Sequence, residues 1–144
     1  MNPNLSILLV DDDEIDRELV QRALRAAGIH NPVTTASNGL EALAILRGED
    51  PQATLGRPAM VLLDLNMPQM NGFEFLEALR ADSSLSGIVV FVLSTSTRQE
   101  DIERCQRYQV AGYMSKQTAG QDVCLLSELL DSYWRLVNVA DETP

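Results

Sequence analysis

Four residues suited to phosphate or metal chemistry each follow directly on a short apolar run. Ile7-Leu8-Leu9-Val10 ends at the acidic pair Asp11-Asp12, and Met60-Val61-Leu62-Leu63 ends at Asp64. Val89-Val90-Phe91-Val92-Leu93 ends at Ser94, and Gly112-Tyr113-Met114-Ser115 ends at Lys116. An acidic pair can bind a cation through oxygen ligands, which points to Mg²⁺ or Ca²⁺. A single carboxylate beside such a cation is an oxygen nucleophile, and aspartyl-phosphate formation is one of its uses. A hydroxyl and an ammonium can each engage phosphoryl oxygens. Together the four endings could hold a divalent cation and a phosphoryl group on one rim.

The elements that would position them follow from the pattern. Apolar, β-branched-rich runs of four to six residues read as strands buried on both faces, as in a parallel sheet. In open parallel sheets ligands bind just outside the carboxyl ends of the strands, so the four endings converge. Between the strands lie helical periods. Asp13 is placed to cap a helix over 14–27, with Ile15, Leu19, Ala23, Leu24 and Ala27 on one face and Gly28 as its stop. After a short second strand, Val33–Ala36, the stretch Asn38-Gly39-Leu40-Glu41 resembles a capping box, with Leu40, Leu43, Ala44 and Arg47 in phase. A loop over 48–58 leads to the third strand, and further helices are expected over 73–80, from a Thr97/Glu100 capping box to about 108, and over about 122–137. This fivefold alternation implies right-handed βαβ units and a doubly wound α/β domain with helices on both faces of its sheet.

Composition narrows the function classes. At 144 residues, one domain is the simplest division, with a core over about 5–137 and flexible ends at 1–4 and 140–144. Eleven basic against twenty-one acidic residues give a net charge of -10, which disfavours binding to a nucleic-acid backbone. No apolar run approaches a membrane span and the start has no signal-peptide pattern, so a cytoplasmic protein is expected. Cys105 and Cys124 lack metal-ligand spacing and read as reduced thiols.

Helix-dipole charge accounts for Asp13, Glu14 and Asp16, but not for Asp11 and Asp12, whose mutual repulsion a cation would relieve. Lys116 is the only lysine of the chain. His30, the sole histidine, falls at the amino end of the second strand, so no internal phosphohistidine donor can reach Asp64.

The stretch from Ile7 to Asp12, the run Asp64-Leu65-Asn66-Met67-Pro68-x-Met70-Asn71-Gly72, Ser94, and Gly112-Tyr113-x-x-Lys116 together resemble the receiver domain of two-component response regulators. The resemblance covers about residues 5–137. The loop over 48–58 and the tail Ser132-Tyr133-Trp134-Arg135-Leu136-Val137 look like the stand-alone receivers that partner phytochrome-type histidine kinases. It implies a flavodoxin-like five-stranded parallel sheet of order 2-1-3-4-5. It also implies that Asp64 accepts the phosphoryl group, and that Asp12 and Asp64 bind Mg²⁺ directly. Asn66 would add its backbone carbonyl and Asp11 would act through metal-bound water. Ser94 would be the switch hydroxyl, Lys116 the phosphoryl contact, and Tyr113 the aromatic residue whose rotamer follows the switch.

Such a protein is a signalling phosphoacceptor rather than an enzyme with a separate substrate. With no sequence after Pro144, its output is expected to be a protein contact, a phosphorelay step or a change of oligomer. Two positions depart from the family pattern. Gln117 stands where proline commonly follows the lysine. A cis non-proline bond costs about 2.5–4 kcal/mol, so a trans bond and an altered loop are expected. Asn71 stands where an acidic residue is frequent.

Two other readings compete. A haloacid-dehalogenase-like phosphatase also joins an aspartyl nucleophile to a hydroxyl, a lysine and an acidic pair. It carries its nucleophile on the first strand, with a general-acid aspartate two residues on, where this chain has Asn66. A phosphorylation-independent adaptor would keep the fold alone. Finally, Val123, Leu126, Leu129, Leu130, Tyr133 and Val137 share a face of the last helix, flanked by Leu125, Leu136 and Trp134. That stripe is wider than the roughly 100° a one-sided helix needs, so a homodimer through this helix is expected.

Overall fold

The structure is a computed structural model describing residues 5–51, 55–56, 59–67, 70–95, 98–121, 128 and 130. Five strands, β1 (Ser6–Val10), β2 (Val33–Ala36), β3 (Ala59–Leu63), β4 (Val89–Ser94) and β5 (Gly112–Ser115), alternate with helices. These are α1 (Glu14–Ala26), α2 (Gly39–Leu46), α3 (Gly72–Ala81), α4 (Gln99–Gln106) and α5 (Lys116–Gln121). All four strand pairings are parallel, in the order β2-β1-β3-β4-β5. The fold class is the one the strand-helix alternation implies, and the strand order is the one the receiver resemblance implies.

Strand side chains alternate between two cores, as the two-residue period of a strand requires. Leu8, Val10, Val61, Leu63, Val90 and Val92 face one side, where α2 and α3 supply Leu43, Leu46, Phe75 and Leu76. Ile7, Leu9, Met60, Leu62, Phe91 and Leu93 face the other, with Val20 and Leu24 of α1 and with Leu130. Full burial of each such side chain contributes about 1.5–3 kcal/mol. Helices therefore cover both faces.

Local signals set most boundaries. Asp13 caps α1 by accepting the Ile15 and Asp16 N–H groups at 2.8 and 3.1 Å. Gly28 ends it with φ +82°, a conformation that strains any residue bearing a Cβ. Asn38 caps α2 through the Glu41 N–H, but Glu41 reaches back to Ser37 rather than completing the box on Asn38. The reciprocal capping box occurs instead at α3, between Asn71 and Glu74. Asn71 thus replaces an acidic residue with an equally effective cap.

Several expectations need correction. Ile15 and Leu19 are 70% and 55% exposed; α1 buries Val20, Ala23 and Leu24. The helix rolls so that Val20, not Leu19, faces the sheet. Leu40 is 55% exposed because α2 buries Ala42, Leu43, Ile45 and Leu46, a face turned away from the expected phase. Arg98 occupies the N-cap of α4 without a side-chain cap hydrogen bond, while Thr97 lies outside the described residues. The helix expected over about 122–137 lies outside the described residues apart from 128 and 130. A helix starts at Lys116, directly after β5, where none was expected. Ser115 explains this: its Oγ accepts the Thr118 N–H at 3.0 Å, as a helix-capping serine does. The loop altered by Gln117 takes the form of this helix start. Of the stripe proposed for dimerisation, only Leu130 is described, and it is fully buried; the other residues lie outside the described set.

At the opposite end of the sheet, Arg80 ties α3 to two segments, the approach to β4 and the chain just after α4. Its guanidinium donates to the carbonyls of Ser86, Ile88 and Tyr108 at 2.8 Å each, and to that of Gln109 at 3.2 Å.

Candidate functional site

The carboxyl ends of β1, β3, β4 and β5 do meet. Asp11 and Asp64 leave adjacent parallel strands in register, since Val10 pairs with Leu63. One carboxylate oxygen from each of Asp11, Asp12 and Asp64 lies within 4.8 Å of the others. Asp11 and Asp64 are buried, at 1% and 4% exposure, while Asp12 faces solvent. The β1 end is locked from α1: Arg17 Nη1 donates to the Asp11 carbonyl at 2.6 Å, and the Asp13 N–H donates to Asp11 Oδ1 at 3.0 Å.

Lys116 closes the site from the end of β5. Its Nζ lies 2.6 Å from Asp11 Oδ2, 2.8 Å from Asp16 Oδ2 and 3.5 Å from Asp64 Oδ2. Burial works against this ammonium. Its close ion pair with Asp11 and its hydrogen bond to Asp16, with the charge of Asp64, outweigh that cost and hold it above the ordinary lysine range. Burial likewise pushes the Asp64 carboxyl up to about 6. Lys116 opposes that rise, Asp11 adds to it, and the Asn66 N–H opposes it.

Ser94 is fully buried at the end of β4, and pairs across the sheet with Ser115, the residue before Lys116. Tyr113 is half-buried, two residues earlier on β5, and packs against the core on the α2–α3 side. Asn66 follows Asp64 on the exposed side of the rim. His30 is exposed at the other end of the molecule, beside a hollow of about 220 Å³ lined by Gln21, Arg25 and Ile29 among others.

Asp16 is the residue that sequence reasoning missed. It was accounted for by helix-dipole charge, yet it takes a hydrogen bond from Lys116. Its place in the first turn of α1, the helix that packs beside α5, was the available signal.

A divalent cation fits this rim. Three carboxylates crowd together, and Asp64 Oδ1 is buried without a hydrogen-bond partner, an atom that would otherwise carry a desolvation cost. Oxygen-only donors suit a hard cation.

Residues 7–127 match the family described as the response regulator receiver domain. This chain belongs to that family. The receiver is 32% identical to the response regulator Rcp1 of Synechocystis sp. over 133 residues, covering 92% of this chain and 90% of that protein. Among solved structures it resembles the phosphorylated cyanobacterial phytochrome response regulator RcpA, with a TM-score of 0.74 and 36% identity. That likeness covers 85% of the receiver and 91% of RcpA. The Mn²⁺-bound form of Rcp1 is similar at a TM-score of 0.73 and 30% identity, covering 90% and 93%. The protein is therefore a receiver-domain response regulator of two-component signalling, related to phytochrome response regulators. No helix among its described residues is long and apolar enough to cross a membrane.

Proposed function

We propose that the receiver accepts a phosphoryl group on Asp64 from the phosphohistidine of a partner kinase. One observation carries this reading: the buried Asp64 carboxylate belongs to an acidic cluster that fits a cation and lies 3.5 Å from the ammonium of Lys116, the chain's only lysine. An Asp64 oxygen would attack phosphorus as the phosphorus–nitrogen bond to the imidazole breaks, and the imidazole would leave with its electron pair. Positioning and charge neutralisation supply the catalysis in such transfers. Lys116 would contact the phosphoryl oxygens and Ser94 would donate its hydroxyl to one of them, with Tyr113 following that movement.

Asp12 and Asp64 would hold Mg²⁺ directly, with the Asn66 carbonyl and with Asp11 through water. When bound, the cation neutralises charge on the carboxylates and on the arriving phosphoryl group. That the related Rcp1 has an Mn²⁺-bound form supports a divalent ion here.

The partner is a histidine kinase, and the relationship to Rcp1 and RcpA favours one of phytochrome type. The protein acts as a cytoplasmic receiver and forms a homodimer through its last helix, which sedimentation at micromolar concentration would reveal. Nucleic acid is not a partner, given the acidic balance.

Incubation with acetyl phosphate and Mg²⁺, followed by intact mass, tests the central step. One labile phosphoryl per chain is expected. Repeated turnover of the donor would indicate a phosphatase, and no label would indicate an adaptor.

A further inference from the structure

Asp16 belongs to none of the four strand ends, yet it competes for the group that should serve the phosphoryl. An ammonium has three N–H donors and no acceptor. Asp11 Oδ2 takes the nearest contact of Lys116 at 2.6 Å, and Asp16 Oδ2 takes the next at 2.8 Å. Asp64 Oδ2 holds only a long one at 3.5 Å. Asp16 is fixed where it stands. Its N–H is bound by the Asp13 cap at 3.1 Å, and its neighbour Arg17 is tied to the Asp11 carbonyl. The first turn of α1 is thereby fastened to the end of β1.

We propose that Asp16 is a positioning residue that acts through Lys116, holding the ammonium on the α1 side of the rim and setting how readily it turns toward oxygens carried on Asp64. The inference deepens the proposed role of Asp64 and rests on it. A phosphoryl group on Asp64 presents oxygens that need donors. To serve them, Lys116 must lengthen or release the bond to Asp16, because Asp16 Oδ2 takes the directed hydrogen bond from Nζ and holds it on the α1 side. The contact with Asp11 Oδ2, by contrast, is an ion pair without hydrogen-bond geometry. Occupancy of the phosphoryl position is therefore opposed by Asp16, and loosening that contact should strengthen it.

Lys116 being the sole lysine makes the test direct, because ¹⁵N-lysine labelling yields a single side-chain resonance. Wild-type, Asp16→Asn and Asp13→Asn proteins are compared by this resonance and by titration with beryllofluoride in Mg²⁺ as a non-covalent phosphoryl mimic. Asp16→Asn should move the Nζ resonance and bind beryllofluoride about fivefold tighter, the scale of losing one partly exposed ion pair. Asp13→Asn keeps a capping side chain and should match wild type in both. An unmoved resonance, or an affinity equal to or weaker than wild type, overturns the inference while wild-type labelling by acetyl phosphate stands. If wild type takes up neither acetyl phosphate label nor beryllofluoride, the Asp64 reading fails, and this inference falls with it even if the resonance moves.

Discussion

Gly72 lies against the backbone that carries Asp64: a Cβ at position 72 would sit 2.7 Å from Leu65 Cα and 2.9 Å from the Asp64 carbonyl oxygen. Both are main-chain atoms with no rotamer to give way. Gly72→Ala should therefore displace the start of α3 or the end of β3. Overpacking of this kind costs about 1–3 kcal/mol. Denaturant unfolding should show that loss, together with weaker Mg²⁺ binding, because the displaced segment holds Asp64. Unchanged stability and metal affinity would refute the close approach.

Asp64→Asn is close in shape and should abolish labelling by acetyl phosphate while leaving the fold intact. Lys116 keeps Asp11 and Asp16 as partners in that variant. Stoichiometric labelling of Asp64→Asn, read by intact mass, would remove Asp64 from its role.

Asp12→Ala should weaken Mg²⁺ binding far more than Asp13→Ala. Asp12 belongs to the carboxylate cluster, whereas both hydrogen bonds accepted by Asp13 go to α1 N–H groups. Losing the Asp13 cap should instead lower stability by about 1 kcal/mol. Calorimetric titration and thermal unfolding of the same two variants separate these effects.

Asp64 also gives metal-free stability a pH dependence. Its carboxyl titrates near 6 in the fold against 3.8 for the unperturbed group, so the folded protein binds more protons between those values. Stability then falls as pH rises through that window, because unfolding releases the proton. Below about pH 4 both states are protonated and this loss is absent. Metal-free wild type should lose more stability from about pH 4 to about pH 6.5 than Asp64→Asn, which lacks the group. Mg²⁺ needs the ionised carboxylate, so its affinity should drop as pH falls through about 6. Parallel pH profiles for the two proteins would contradict the assignment.

Arg80→Leu should destabilise the fold by about 2 kcal/mol or more, since carbonyl acceptors are left without their donor. Phosphoryl uptake should persist, because Arg80 contacts none of the rim residues. A variant as stable as wild type would mean that water replaces the guanidinium without loss.

The fold was readable because the three inner strands β1, β3 and β4 are almost wholly apolar runs, and burial on both faces of a parallel sheet is what such runs indicate. The edge strands β2 and β5 are more polar and only partly buried. Asp11, Asp12, Asp64, Ser94 and Lys116 were readable for the same reason, as polar residues where strands stop. Helix phase was less so. Ile15 and Leu40 fit an apolar period, but tertiary packing turned Val20 and Ala42 inward instead. The start of α5 was hidden because Ser115 serves as both the last strand residue and a helix cap. Asp16 was obscured by a sufficient local explanation, and only the packing of α1 beside α5 gives it a second role.

The Arg80 clamp also has a mechanical consequence. It grips the carbonyls of Tyr108 and Gln109, immediately beyond the end of α4, and binds them to the amino end of β4. The other end of α4, next to the Ser94 loop, begins at Arg98 with no side-chain cap. The helix is thus a beam pinned at its far end. A displacement that starts at Ser94 would tilt α4 about the Arg80 pivot, greatest at Gln99 and Glu100 and vanishing toward Cys105, which is wholly buried.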